Sequence, residues 1–105
     1  MTQSTIIARR GLPFGGARAE PEAVSVLAAA TELKSTGGPI AGRDRLIINP
    51  TDGDVYIATT NAVTVATGLY VAQDAWLELD CDNGAGTWWA IAAAPVDVRV
   101  YEVVD

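Results

Sequence analysis

The chain of 105 residues contains no histidine and a single cysteine, Cys81. One chain therefore supplies neither an intrachain disulfide nor a Cys/His zinc site, and a reducing compartment is the simplest match to that usage. No apolar run reaches membrane-spanning length, and the N-terminus lacks the apolar centre of a secretory signal. The expectation is a soluble product made in a cytoplasm, with no membrane partner. Heavy apolar residues are also scarce, because much of the 50% apolar content is alanine. One modest core is the most that such a chain can bury. Its candidates are Leu46, Ile48, Val55, Ile57, Val63, Val65, Leu69, Val71, Trp76, Leu77, Leu79, Trp88, Trp89, Ile91, Val96, Val98, Val100 and Val103. A core this thin predicts marginal stability for the isolated domain and a gain from self-association.

Positive charge is confined in a telling way. Residues 1–19 carry Arg9, Arg10 and Arg18 and no acid, whereas residues 20–105 carry four basic and thirteen acidic groups, for a chain total of −6. An acidic body repels phosphate backbones, so nucleic acid is not an expected partner.

Residues 1–22 read as an extended N-terminal arm, since Gly11, Pro13, Gly15, Gly16 and Pro21 interrupt any long helix or strand. Within it Ile6, Ile7, Leu12 and Phe14 are suited to dock on a neighbouring surface, and Arg9, Arg10 and Arg18 to pair with that surface's acids. Residues 23–105 read as one domain. Ala23–Leu33 mixes helix and strand formers, but Val24, Val26 and Ala28 share a face at period two, which predicts a strand. Short strands follow at 45–49, 55–58, 62–65, 70–71, 75–80, 88–92 and 96–103. The first two flank Pro50-Thr51-Asp52-Gly53-Asp54 and read as a hairpin, with Gly53 free to take positive φ. Val96, Val98 and Val100 alternate with Asp97, Arg99 and Tyr101, the pattern of a strand with one face on a core. The expected fold is all-β, an antiparallel β-sandwich or jelly-roll-like barrel.

Candidate chemistry is weak throughout. Asp80-Cys81-Asp82-Asn83-Gly84 resembles a calcium loop, yet its twelfth position, where a bidentate glutamate belongs, is Ile91. Asp52 and Asp54 suit a turn better than an acid–base pair, which needs a perturbed carboxyl in a cleft. Cys81 stands beside two acids that suppress its thiolate, with no histidine to activate it. The glycines from Gly11 to Gly16 lack the lysine and Ser/Thr of a phosphate-binding loop. No catalytic residue, metal or cofactor is expected. Trp88 and Trp89 are adjacent, so a strand sends them to opposite faces and only one can enter the core. The outward indole, with Tyr56, Tyr70 and Trp76, suits a subunit interface better than a ligand site.

Gly42-Arg43-Asp44-Arg45-Leu46-Ile47-Ile48-Asn49-Pro50, Asp54-Val55-Tyr56-Ile57, Val63-Thr64-Val65-Ala66-Thr67-Gly68, Trp76-Leu77-Glu78-Leu79, Trp88-Trp89-Ala90-Ile91-Ala92 and Val96-Asp97-Val98-Arg99-Val100-Tyr101-Glu102 form a familiar series. It resembles the small β-sandwich virion proteins of tailed bacteriophages. The resemblance implies a non-enzymatic particle component located in the virion: a capsid decoration (cement) protein, a head-fibre base or a tail-associated module. Joined to the reading of the residues, it gives a homotrimer sealed by Tyr56, Tyr70, Trp76 and Trp89, whose arm binds the major capsid protein or another virion protein and stabilises the head. The alternative is a receptor- or carbohydrate-binding module of a phage tail or head fibre, with one exposed tryptophan and nearby Asp and Asn gripping a sugar.

Overall fold

A computed structural model describes residues 18–82 and 86–105. Eight strands follow one another: β1 (Arg18–Val26), β2 (Thr31–Glu32), β3 (Arg45–Pro50), β4 (Val55–Ala58), β5 (Leu69–Val71), β6 (Leu77–Asp80), β7 (Trp89–Ile91) and β8 (Val96–Val104). They form two four-stranded sheets, β1-β8-β3-β6 and β2-β7-β4-β5. Every pairing is antiparallel, and β1 with β8, β2 with β7, β3 with β6 and β4 with β5 are all partners. That nesting is a long hairpin wound around a barrel axis, the connectivity of a jelly roll. The expected all-β sandwich is the observed fold.

Alternation decides which side chains meet between the sheets. Val26, Leu46, Ile48, Leu79, Val96, Val98 and Val100 enter from the first sheet, and Val55, Ile57, Val71 and Ala90 from the second. Leu33, Cys81 and Ala92 complete the cluster from the connections. Val65, Leu69 and Trp76, expected in the core, are instead 44%, 61% and 57% exposed. Val65 lies in the connection between β4 and β5, Leu69 is on the edge strand β5, and Trp76, just before β6, lies on the outer side of the first sheet.

The segment 45–58 is not a hairpin. β3 and β4 lie in different sheets, so residues 51–54 are a corner that carries the chain across the sandwich. β8 fixes this corner. Thr51 donates both its N–H and its hydroxyl to the Asp97 carbonyl, each at 2.9 Å, and Asp52 Oδ1 accepts the Asp97 N–H at 2.8 Å. A hairpin would put Leu46, Ile48, Val55 and Ile57 on one face of one sheet, whereas the corner makes the two pairs face each other. Gly53 serves by its size, since a Cβ there would stand 2.7 Å from Val96 Cγ2, and the left-handed glycines among the described residues are Gly37 and Gly42.

Two further boundaries differ from the sequence reading. Residues 62–65 form turns, where only Val63 reaches the core and Thr64 and Thr67 bond each other through hydroxyls and amides. The predicted strand at 23–33 is two strands in different sheets, with β1 beginning at Arg18. Arg18–Glu22, assigned from the sequence to the arm, thus pair with β8, Arg18 opposite Val104. Ile6, Ile7, Arg9, Arg10, Leu12 and Phe14 lie outside the described residues.

One end of the sandwich is closed by charge. The inward register of β8 runs Val96, Val98, Val100 and then Glu102, which is fully buried together with Arg43. Arg43 Nη1 donates to Glu102 Oε2 and, at 3.0 Å, to the Leu33 carbonyl, while Nη2 reaches the Gly86 carbonyl at 3.4 Å. The second carboxylate oxygen accepts the Ser35 N–H at 3.1 Å and the Ser35 hydroxyl. Arg43 Nε has no acceptor among the described residues. Removing one partner leaves an uncompensated buried charge, so Glu102→Leu or Arg43→Met alone is expected to cost about 3–5 kcal/mol in urea unfolding. The double substitution is expected to recover most of that loss, which a double-mutant cycle reads directly.

Candidate functional site

With the inner faces spent on the core, the outer faces are the surfaces left for recognition. On the second sheet Ala90 points inward, so its neighbours Trp89 and Ile91 point out. Register places Tyr56 between Tyr70 and Ile91, and Ala58 beside Trp89. The Tyr56 and Tyr70 rings lie 5.6 Å apart, tilted by 48°. Cross-strand aromatic pairs of this kind contribute roughly 0.5–1.5 kcal/mol beyond their area. Gly68 lets the two strands close up, because a Cβ there would stand 2.7 Å from Tyr56 Cβ. The Asp54 carboxylate, hydrogen-bonded to the Tyr70 hydroxyl, raises the pKa of that phenol, with a smaller contribution from desolvation. Asp54 also accepts the Gln73 N–H at 2.9 Å, so it fixes the rim of the aromatic face.

Three of the four expected interface residues, Tyr56, Tyr70 and Trp89, therefore share one face. Trp76 does not join them. It precedes β6 and lies on the outer side of the first sheet, against a groove with Pro21, Ala23, Ile47, Asn49 and Tyr101. The tryptophan pair divides as strand geometry requires. Trp88 packs against the core and donates its indole N–H to the Asp80 carbonyl at 3.0 Å, leaving Trp89 as the outward ring.

The carboxylates singled out in the sequence are tied to backbone. Asp52 and Asp54 hold amides of Asp97 and Gln73, and Asp80 Oδ1 accepts the Asp82 N–H at 2.9 Å. Among the described residues no group of three His, Cys, Asp or Glu side chains is placed to hold a metal ion. Arg45 on the first sheet's outer face binds Asp105 through Nε at 3.0 Å and Nη2 at 2.7 Å, with Glu78 at 3.4 Å. Burial works against the Arg45 charge, but Asp105 and then Glu78 outweigh it and raise its pKa.

Sequence reasoning missed the groove and the buried ion pair. Tyr101 had been placed on the outer face, and extending the same alternation by one residue puts Glu102 inside. An acid at a core register was the available signal. For Arg43 there was none, since it precedes β3 in a connection.

The geometry defines an antiparallel jelly-roll sandwich with an aromatic outer face. No family model, curated protein or solved structure gives a significant match to the chain.

Burial pushes the Cys81 thiol up; Arg43 opposes the shift, while Asp80, Glu102 and Asp44 add to it. The folded chain is thus expected to react with iodoacetamide at pH 8 about 100-fold more slowly than the urea-unfolded chain, followed by mass spectrometry. Because the folded pKa is raised, the thiol's contribution to stability is complete below its unfolded value and is lost as pH rises through the folded value. Stability of Cys81→Ala is expected to fall less steeply than wild type above pH ~9.

Proposed function

We propose that this chain is a non-enzymatic structural protein of a bacteriophage virion, a capsid decoration protein that binds the head surface and stabilises it. The observation that carries the reading is the aromatic face of Tyr56, Tyr70 and Trp89 on an acidic jelly roll whose turn carboxylates hold its own backbone. Fold supports it by analogy: jelly rolls recur in viral capsid proteins and in lectins, and the sequence resembles small phage virion sandwiches. In this reading the copies form a trimer through the aromatic face, and the basic N-terminal arm grips the major capsid protein or another virion protein. Linked copies multiply a modest affinity per arm, because after one arm binds the others act at high effective concentration.

A receptor- or carbohydrate-binding module is the second reading. Trp89 and the Tyr56–Tyr70 pair favour it, since outward rings on a sandwich face also stack on sugars.

Light scattering is expected to give three times the 11.0 kDa chain mass, and Tyr56→Glu with Trp89→Glu to give the single-chain mass with unchanged β-sheet circular dichroism. Cosedimentation with particles stripped of their surface proteins is expected for wild type and to weaken at least ~10-fold in Arg9→Glu/Arg10→Glu. A chain that ignores such particles but binds a glycan array or bacterial cells belongs to the second reading.

A further inference from the structure

The outer face of the first sheet is uneven by sequence. Register places Ala23, Arg99 and Asn49 side by side on β1, β8 and β3, with Pro21, Tyr101 and Ile47 in the next row. The pairing of Ile48 with Leu77 brings Trp76 up beside Asn49, whose side-chain amide donates to the Ala75 carbonyl at 2.9 Å. Short side chains therefore line β1, while the rings of Tyr101 and Trp76 flank Ile47. The result is a groove of about 460 Å³ with mainly apolar walls, within the range of roughly 300–1,000 Å³ usual for small-molecule sites. Trp76 stands beside it 57% exposed.

Two polar side chains in this lining have bonding capacity to spare. Arg99 gives Nε and Nη2 to Asp97 at 3.2 and 3.1 Å, and its Nη1 has no acceptor among the described residues. Asn49 spends its amide nitrogen on Ala75, and no donor among the described residues reaches its Oδ1. Because Asn49 and Arg99 are direct cross-strand partners, a donor stands next to an acceptor at the edge of an apolar floor.

We propose that this groove is a saccharide site that takes a pyranose ring of a neutral oligosaccharide, with Trp76 as stacking platform and Arg99 with Asn49 as the pair that reads adjacent hydroxyls. A pyranose has the matching two-sided chemistry: a face of C–H bonds that packs on an indole, and hydroxyls that each donate and accept. Two neighbouring hydroxyls satisfy Arg99 Nη1 and Asn49 Oδ1 together. A wholly apolar ligand would strip water from both groups and leave them unpaired, which is costly. An anion is disfavoured, since the Asp97 carboxylate already neutralises Arg99 and the body is acidic. Charge balance thus selects a neutral ligand. The assignment does not rest on the capsid reading, and it sets the sugar on the opposite side of the sandwich from Trp89.

The three tryptophans report on different places: Trp88 at the core, Trp89 on the outer face of the second sheet and Trp76 at the groove. The isotope-labelled full chain is titrated with maltotetraose, cellotetraose, mannotetraose and chitotetraose, and separately with sialyllactose and a proline decamer. Saturable movement of the Trp76 indole N–H resonance is expected with at least one of the neutral sugars, with the Trp89 resonance unmoved. Trp76→Ala and Arg99→Met are each expected to weaken that binding at least ~10-fold, and Trp76→Phe to retain it. No response at Trp76 to any neutral sugar would overturn the assignment, as would a response confined to Trp89 or tighter binding of sialyllactose or the proline decamer.

Discussion

The buried pair of Arg43 and Glu102 is the constraint on which the closed end of this sandwich depends. Two opposite charges with no exposure survive in a small core because nearly every polar atom around them is used: Glu102 takes Ser35 and Arg43, and Arg43 takes carbonyls from Leu33 and Gly86. The pair thereby gathers the β2–β3 connection, the β6–β7 connection and the end of β8 at one point. Asp44 reinforces it. Its N–H donates to the Val103 carbonyl, its carbonyl accepts from Cys81, and its carboxylate holds the Asp105 amide. A buried ion pair contributes little net stability against an apolar replacement, but half of one is costly, so its main effect is to specify which segments meet.

That specification matters because the apolar core alone is not selective. Valine, leucine and isoleucine dominate it, and such side chains exchange partners at little cost if volume is conserved. Directional bonds at the two ends remove that freedom. At one end the Arg43–Glu102 pair fixes the connections, and at the other Thr51 and Asp52 tie the sheet-crossing corner to Asp97. The sandwich between them has its inner faces filled, and the chemistry of contact falls to the outer ones. The second sheet presents Tyr56, Tyr70 and Trp89; the first presents a groove under Trp76 and Tyr101.

Much of this was legible residue by residue. Val55–Ala58 coincides with β4, and the strands expected around 45–49, 70–71, 75–80, 88–92 and 96–103 all exist within a few residues. Period-two alternation is a local property, visible in any one strand, and it correctly sent Leu46, Ile48, Val98 and Val100 inward. It also required Trp88 and Trp89 to part, though not which would be inside. Failures cluster where the answer lies elsewhere in the chain. The 50–54 turn has every local mark of a hairpin and is a corner, because its hydrogen bonds run to Asp97, more than forty residues away. Val63 and Val65 alternate like a strand, but among the described residues no strand pairs with them.

Composition and pattern by themselves determined an all-β domain of short strands, an acidic body with a basic leading segment, and a surplus of aromatic rings over core space. Tertiary structure alone decided that β3 and β4 belong to different sheets, that Trp76 is separated from Tyr56, Tyr70 and Trp89, and that Arg43 is buried rather than solvated. The division has one cause. Side-chain alternation is set by the geometry of a single extended strand, whereas strand partners and buried charges are chosen by bonds between segments far apart in sequence, which no local pattern encodes.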